Sequence, residues 1–180
     1  MQSADDVMRF WFVDHGPEDW FSADPAFDGR IAEAFSATHA AVARGEAWGW
    51  RATPQGRLAE IIVLDQFSRQ LFRGDPRAFA NDAMALMQAQ EAVAGGHDRA
   101  LDPLQRRFLY MPYMHSESLV IHEEALRLFT ELGDESTLQY EIAHADTLRR
   151  FGRYPRRNTA LGRESTPEEI AYIASGQGMF

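Results

Sequence analysis

The stretch TPQGRLAEIIVLDQFSRQLFRG, residues 53–74, decides the fold class. Thr53 followed by Pro54 is a helix-opening signal. The threonine oxygen can accept from an unsatisfied amide of the first turn, and proline suits the first helical position, where its missing N–H is not needed. Leu58, Ile61, Ile62 and Leu64 then mark an apolar side at helical spacing, and Gly74 supplies a stop. The spacing predicts a helix from Pro54 to near Gly74.

The same punctuation recurs along the chain. Ser3 with Asp6 opens a first helix that His15-Gly16-Pro17 closes. Asp24-Pro25 opens a second, running to about Arg44, before Gly45 and the tryptophans Trp48 and Trp50. Asn81 or Asp82 begins a fourth that stops at Gly95-Gly96. Asp102-Pro103 opens a fifth, which Pro112 breaks and Ser116 restarts, ending at Leu132-Gly133. Ser136 begins another, carrying Leu138, Ile142 and Leu148 to Gly152. Thr166-Pro167-Glu168-Glu169 caps a short last helix that ends at Ser175-Gly176. No stretch alternates with period two, so no sheet is expected. The expectation is an all-α protein, one domain over residues 1–180, whose short connections pack neighbours as stacked antiparallel helical hairpins.

Composition narrows the chemistry. At 180 residues and 45% hydrophobic content the chain can bury a sizeable core. It has no Cys, which removes disulfides, thiol nucleophiles and thiolate metal sites. All 18 basic residues are arginine, so a Schiff-base lysine, a phosphate-loop lysine and a Ser–Lys pair are excluded. The start, MQSADDVMRFWFVDHG, is acidic where a signal peptide is basic, and its apolar run is too short to cross a membrane. A cytoplasmic protein with no membrane partner is expected. The formal net charge of -9 disfavours nucleic acid as a partner, though one basic groove could still bind RNA.

Three segments, LDQFSRQLFRGDPRAFA (64–80), FLYMPYMHSES (108–118) and RFGRYPRRNTALGRESTPEE (150–169), carry a resemblance. Together and in this order they resemble the uncharacterised bacterial family catalogued as domain of unknown function nine hundred and twenty-four. That resemblance implies a tetratricopeptide-like α-helical hairpin stack. It implies no established reaction, cofactor or catalytic residue. Its members usually carry proline at the position of Ser68 and histidine at that of Arg156, so a role resting on that histidine does not extend to this chain.

The residues themselves offer several candidates. Asp65 and Arg69 are four apart with the acid first, the favourable order for an ion pair on one helical face. They form either a plain helix salt bridge or, with Arg73, an acid beside an anion clamp. In YMPYMHSES, either a break at Pro112 leaves Tyr110, Tyr113, His115 and Glu117 around backbone available to a ligand, or Ser116 simply caps the helix that follows. His115, standing at that helix start, is the leading acid–base candidate because imidazole titrates near neutrality. His122 shares a helical stripe with Leu119, Leu126 and Phe129 and reads as a core or boundary residue. His144, flanked by Tyr140, Leu148 and Phe151, reads as buried with a partner, yet it leads toward the same region as His115.

Metal patterns fail. Glu141-x-x-His144 lacks the second such pair that a two-iron bundle needs, and His97-Asp98 reads as a turn. No metal site is expected, and the sequence points to no particular cofactor.

The last candidate is an island of arginines. Arg149, Arg150, Arg153, Arg156, Arg157 and Arg163 occupy one segment with no acid before Glu164. Arg149 and Arg150 end a helix, where cations are favoured by its dipole. Arg153, Arg157 and Arg163, with Asn158 satisfying groups in the loop, either staple the loop to acids elsewhere or face a cleft opposite Arg69, Arg73 and His115. The functional expectation is an arginine-lined cleft for a small phosphate- or carboxylate-bearing ligand, with His115, Asp65, Glu117 or His144 moving a proton. The alternative is a helical-repeat interaction module presenting a groove to a peptide partner.

Overall fold

The helix opened by Thr53-Pro54 runs through the middle of the molecule. In the computed structural model, which describes residues 1–178, every residue from Leu58 to Ser68 is buried. The stretch is therefore not amphipathic with one apolar side, as its spacing predicts, but enclosed all round, as a central helix must be. It consists of α4 (Pro54–Ile62), a π-helical turn (Val63–Phe67) and α5 (Ser68–Leu71) in one rod.

Around it lie α1 (Ala4–Arg9), extended by a second π turn (Phe10–Asp14), α2 (Pro17–Trp20) and α3 (Pro25–Ala43) on one side. On the other lie α6 (Asp82–Ala94), α7 (Pro103–Met114), α8 (Leu119–Leu132) and α9 (Glu135–Phe151), with α10 (Pro167–Ala174) last. The rod packs on α1, α3, α6 and α7, while α6, α7 and α8 each pack on the next helix in sequence. Connections as short as the turn between Leu132 and Glu135 make such neighbours antiparallel. The fold is all-α, and no strand occurs among the described residues.

The core joins the two sides. Trp11, Phe27, Phe67 and Phe108 are almost fully buried, and the Trp11 ring lies 5.6 Å from both Phe67 and Phe108. Trp20 belongs to it as well, donating its indole N–H to the Trp11 carbonyl at 2.8 Å. Trp50 packs at the edge, and Trp48 is exposed. Gly56 is required by contact: a Cβ there would sit 1.9 Å from the Trp50 carbonyl oxygen.

Local signals set most helix starts. The Ser3–Asp6 and Thr166–Glu169 capping boxes both form, and Asp24, Thr53 and Asp102 accept from first-turn amides. Three expectations are corrected. Pro112 does not break its helix: α7 continues to Met114 because it is packed between α4, α6 and α8, which compensates for one lost backbone bond. Ser116 does not restart the next helix, since α8 begins at Leu119 after Ser118. Ser136 does not cap α9; Asp134 does, accepting from the Ser136 and Thr137 amides.

Candidate functional site

The π turn at Val63–Phe67 aims Asp65 inward. Such a turn inserts an extra residue into the helical ladder and rotates the next turn about the axis, a feature frequent at functional sites. Asp65 is 1% exposed, and its Oδ1 lies 2.7 Å from His115 Nδ1. Its Oδ2 accepts from Gln66 Nε2 at 2.6 Å, and Arg69 Nη1 approaches Oδ1 at 3.1 Å. Burial alone would raise the Asp65 carboxyl, but Arg69 and His115 outweigh it and hold the group well below the usual carboxylate range. The carboxylate is thus charged, and His115 Nδ1–H donates to it.

His115 is the last residue of its helix turn, at the C-cap of α7, rather than at a helix start. Burial pushes its imidazole below the ordinary value; Asp65 opposes this and Arg69 reinforces it. The ring is therefore neutral near pH 7. With Nδ1–H committed to Asp65, Nε2 carries the lone pair and is a proton acceptor.

His115 borders a cleft of about 400 Å³ between α6, the end of α7 and the loop after α9. Its polar wall is Asp82, His115, Ser116, Glu117 and Arg157; Phe79, Leu86, Pro112 and Leu161 are on its apolar wall. Arg157 lies between two rings, 4.6 Å from the Phe79 centroid and 4.8 Å from that of Tyr154. It donates to Asp82 Oδ2 at 3.2 Å and to the His115 carbonyl at 2.8 Å. Burial and neighbouring Arg69 lower its pKa, yet guanidinium stays charged in proteins. Asp82 is shared, because Arg69 also grips both of its oxygens at 3.0 and 3.1 Å.

Behind the cleft lies a second buried network. His122 Nδ1 is 2.5 Å from Glu141 Oε1, and its Nε2 lies 2.9 Å from the Ser116 carbonyl and 3.0 Å from the Tyr154 hydroxyl. The Tyr154 hydroxyl donates to the Met114 carbonyl at 2.7 Å. Burial raises the Glu141 carboxyl, with His122 partly opposing. His144 Nδ1 donates to the Tyr140 carbonyl at 2.7 Å, and its ring is 6.3 Å from His115. Burial takes the His144 imidazole down to about 3.

The family model described as "Bacterial protein of unknown function (DUF924)" matches residues 7–177. The chain belongs to the DUF924 family. A solved structure titled "Structure of Protein of Unknown Function ATU0120 from Agrobacterium tumefaciens" is similar to this DUF924 chain at 39% identity, covering 96% of it and 97% of that protein, with a TM-score of 0.91. No curated protein matches.

In this DUF924 chain, of the candidates named from sequence, His115, Glu117 and Arg157 border the cleft, with Asp65 and Arg69 directly behind. Others stand elsewhere. Tyr110 and Tyr113 are each 3% exposed, buried because α7 stays helical through Pro112 and turns them into the core; the Tyr110 hydroxyl donates to Asp98 Oδ2. Arg73 faces the opposite side, on Asp28 and the Ser22 carbonyl.

Most of the arginine island is stapled. Arg149 pairs with Asp146 and Arg150 with Glu168. Arg153 forks onto Glu169 at 2.7 and 2.9 Å, and Arg163 onto Glu117 at 2.7 and 2.9 Å. Arg156 donates to the Ile173 and Gln177 carbonyls. Asn158 is fully buried, donating to Ser165 and Glu169 and accepting from Arg163.

Sequence reading missed Asp82, Phe79 and Tyr154. Only the cap position of Asp82 was visible, not the two arginines that converge on it. His122 is buried, in keeping with its reading as a core or boundary residue, but its partner Glu141, nineteen residues away, was missed.

Two chemistries lack support in the geometry. Ser68 is buried with His39 Nε2 2.8 Å away, but its one hydroxyl proton goes to the Leu64 carbonyl at 2.6 Å, so it only accepts from the histidine. Among the described residues, no group of three or more His, Asp or Glu side chains is arranged to hold a metal ion. No described helix is long and apolar enough to cross a membrane.

Proposed function

We propose that the chain binds a small anionic ligand in the cleft beside Arg157, with His115 placed to take a proton from, or share one with, that ligand. The observation that carries this reading is the pairing of a ring-sandwiched guanidinium and a carboxylate-oriented imidazole on one cleft of about 400 Å³. That volume lies within the usual range for small-molecule sites. Only one island arginine contributes, so the cleft differs from the several-arginine wall expected from sequence.

Peptide recognition by a helical-repeat surface calls for a long open groove, and a cleft of this size supports a small guest better. RNA binding through the loop after α9 loses its support as well, because that loop's arginines are largely engaged by acids and carbonyls.

Calorimetric titration of the whole protein with simple carboxylates and phosphates at several pH values tests the reading. An anion beside neutral His115 raises its pKa, so binding takes up a proton and tightens as pH falls toward 6. Affinity that is flat in pH, or unchanged in Arg157→Gln, sinks it.

A further inference from the structure

The charges around the cleft discriminate among anions. Among the described residues, Arg157 is the one guanidinium on its wall, whereas two carboxylates, Asp82 and Glu117, stand on that same wall. Glu117 is largely balanced, since Arg163 donates to both its oxygens and the Tyr154 amide donates to Oε1. Asp82 is held by Arg69 as well as Arg157. Before any ligand enters, the local cations and acids therefore nearly cancel.

A guest with one negative charge can meet the donors of Arg157 and, by recruiting a proton to His115, leave the balance intact. A guest with two charges brings the second against Asp82 or Glu117 in a partly desolvated space, where like charges a few ångströms apart repel strongly. Ser116 adds one hydroxyl, and the rest of the described wall is hydrocarbon: Phe79, Leu86, Pro112 and Leu161 offer a surface for an apolar body and no second guanidinium for another phosphate or carboxylate oxygen.

We infer that the ligand is a monocarboxylate with an apolar aliphatic or aromatic body, its carboxylate toward Arg157 and its body toward Phe79, Leu86 and Leu161, and not a phosphate ester or dicarboxylate. This inference rests on the anion-binding reading above and narrows it.

The test is calorimetric titration of the whole protein with hexanoate, phenylacetate, hexanamide, succinate and inorganic phosphate. Hexanoate and phenylacetate are expected to bind at least about tenfold more tightly than the other three, with at least about a tenfold loss in Arg157→Gln. Leu161→Asp, at a half-buried loop position, should weaken hexanoate similarly at an unchanged melting temperature, and it stands in if the Arg157 variant does not fold. Tighter binding of succinate or phosphate overturns the monocarboxylate inference and leaves the anion reading standing. Hexanamide binding as well as hexanoate, or no binding by any probe, overturns both. Hexanoate binding unaffected by Leu161→Asp puts the ligand elsewhere and overturns the inference.

Discussion

Asp65 and His115 are fifty residues apart in the chain and 2.7 Å apart in the fold. Their contact joins the buried π turn of the central rod to the end of α7, and it sets which imidazole nitrogen faces away from the carboxylate. A carboxylate that is 1% exposed, bonded to a histidine and to an arginine, holds three side chains in one arrangement.

Removing the charge of Asp65 should therefore disturb both stability and the cleft. Asp65→Asn leaves Arg69 with one carboxylate in place of two and His115 without its anionic acceptor. A loss of about 3 kcal/mol in urea unfolding is expected, the scale for breaking a buried pair. A loss below about 0.5 kcal/mol would show that the pair is only a helix-surface salt bridge.

Acidification should destabilise the protein above the pH at which ordinary carboxylates titrate. Burial holds His39, His115 and His144 below the ordinary imidazole value. The unfolded chain protonates these residues near pH 6.5, so below that pH it binds more protons than the folded one, and stability falls as pH drops. The slope between about pH 6.5 and 5 should reach up to about 1.4 kcal/mol per pH unit for each such histidine. For His144 the loss continues to about 3. Urea midpoints at pH 7.5, 6 and 5 measure it, and His144→Gln should flatten the curve. Stability constant across this window contradicts the placement of these rings.

The loop after α9 should behave as a stapled segment. Arg153 grips Glu169, the same residue whose carboxylate closes the capping box on Thr166. Arg153→Ala should lower the melting temperature, because two charge-assisted hydrogen bonds to Glu169 are lost, without altering ligand affinity. Retained stability with lost affinity would reassign Arg153 to the ligand.

Gly56→Ala should be severely destabilising, by about 4 kcal/mol or more, because the new Cβ overlaps a backbone oxygen of the Trp48–Ala52 turn that cannot rotate away. Gly29→Ala is the control: a Cβ there meets nothing within 4 Å, and helix propensity favours it by up to about 1 kcal/mol. Thermal unfolding of the two variants separates the effects.

The helical content was visible from sequence because its signals are local. Thr53-Pro54, Asp24-Pro25, Asp102-Pro103 and Thr166-Pro167-Glu168-Glu169 act within one turn, and each sets a helix start as read. Where two nearby polar residues compete, as Asp134 and Ser136 do, the sequence pattern does not choose; the backbone that places Asp134 beside two amides does. His115 stood out by type alone, but nothing near it in sequence announced Asp65, and the tyrosines beside it read as accessible only on the premise that Pro112 ends its helix.

The amino-acid sequence by itself determined that this chain is all-α, that it belongs to no thiol or lysine chemistry, and that six of its 18 arginines collect in one segment. Only the tertiary structure decided which of those arginines faces the cleft. Helix caps depend on atoms a few residues apart, whereas an ion pair depends on which distant carboxylate the packed helices bring within about 3 Å. Glu169 and Glu117 reach Arg153 and Arg163, while Arg157 shares Asp82 with Arg69 on the cleft wall.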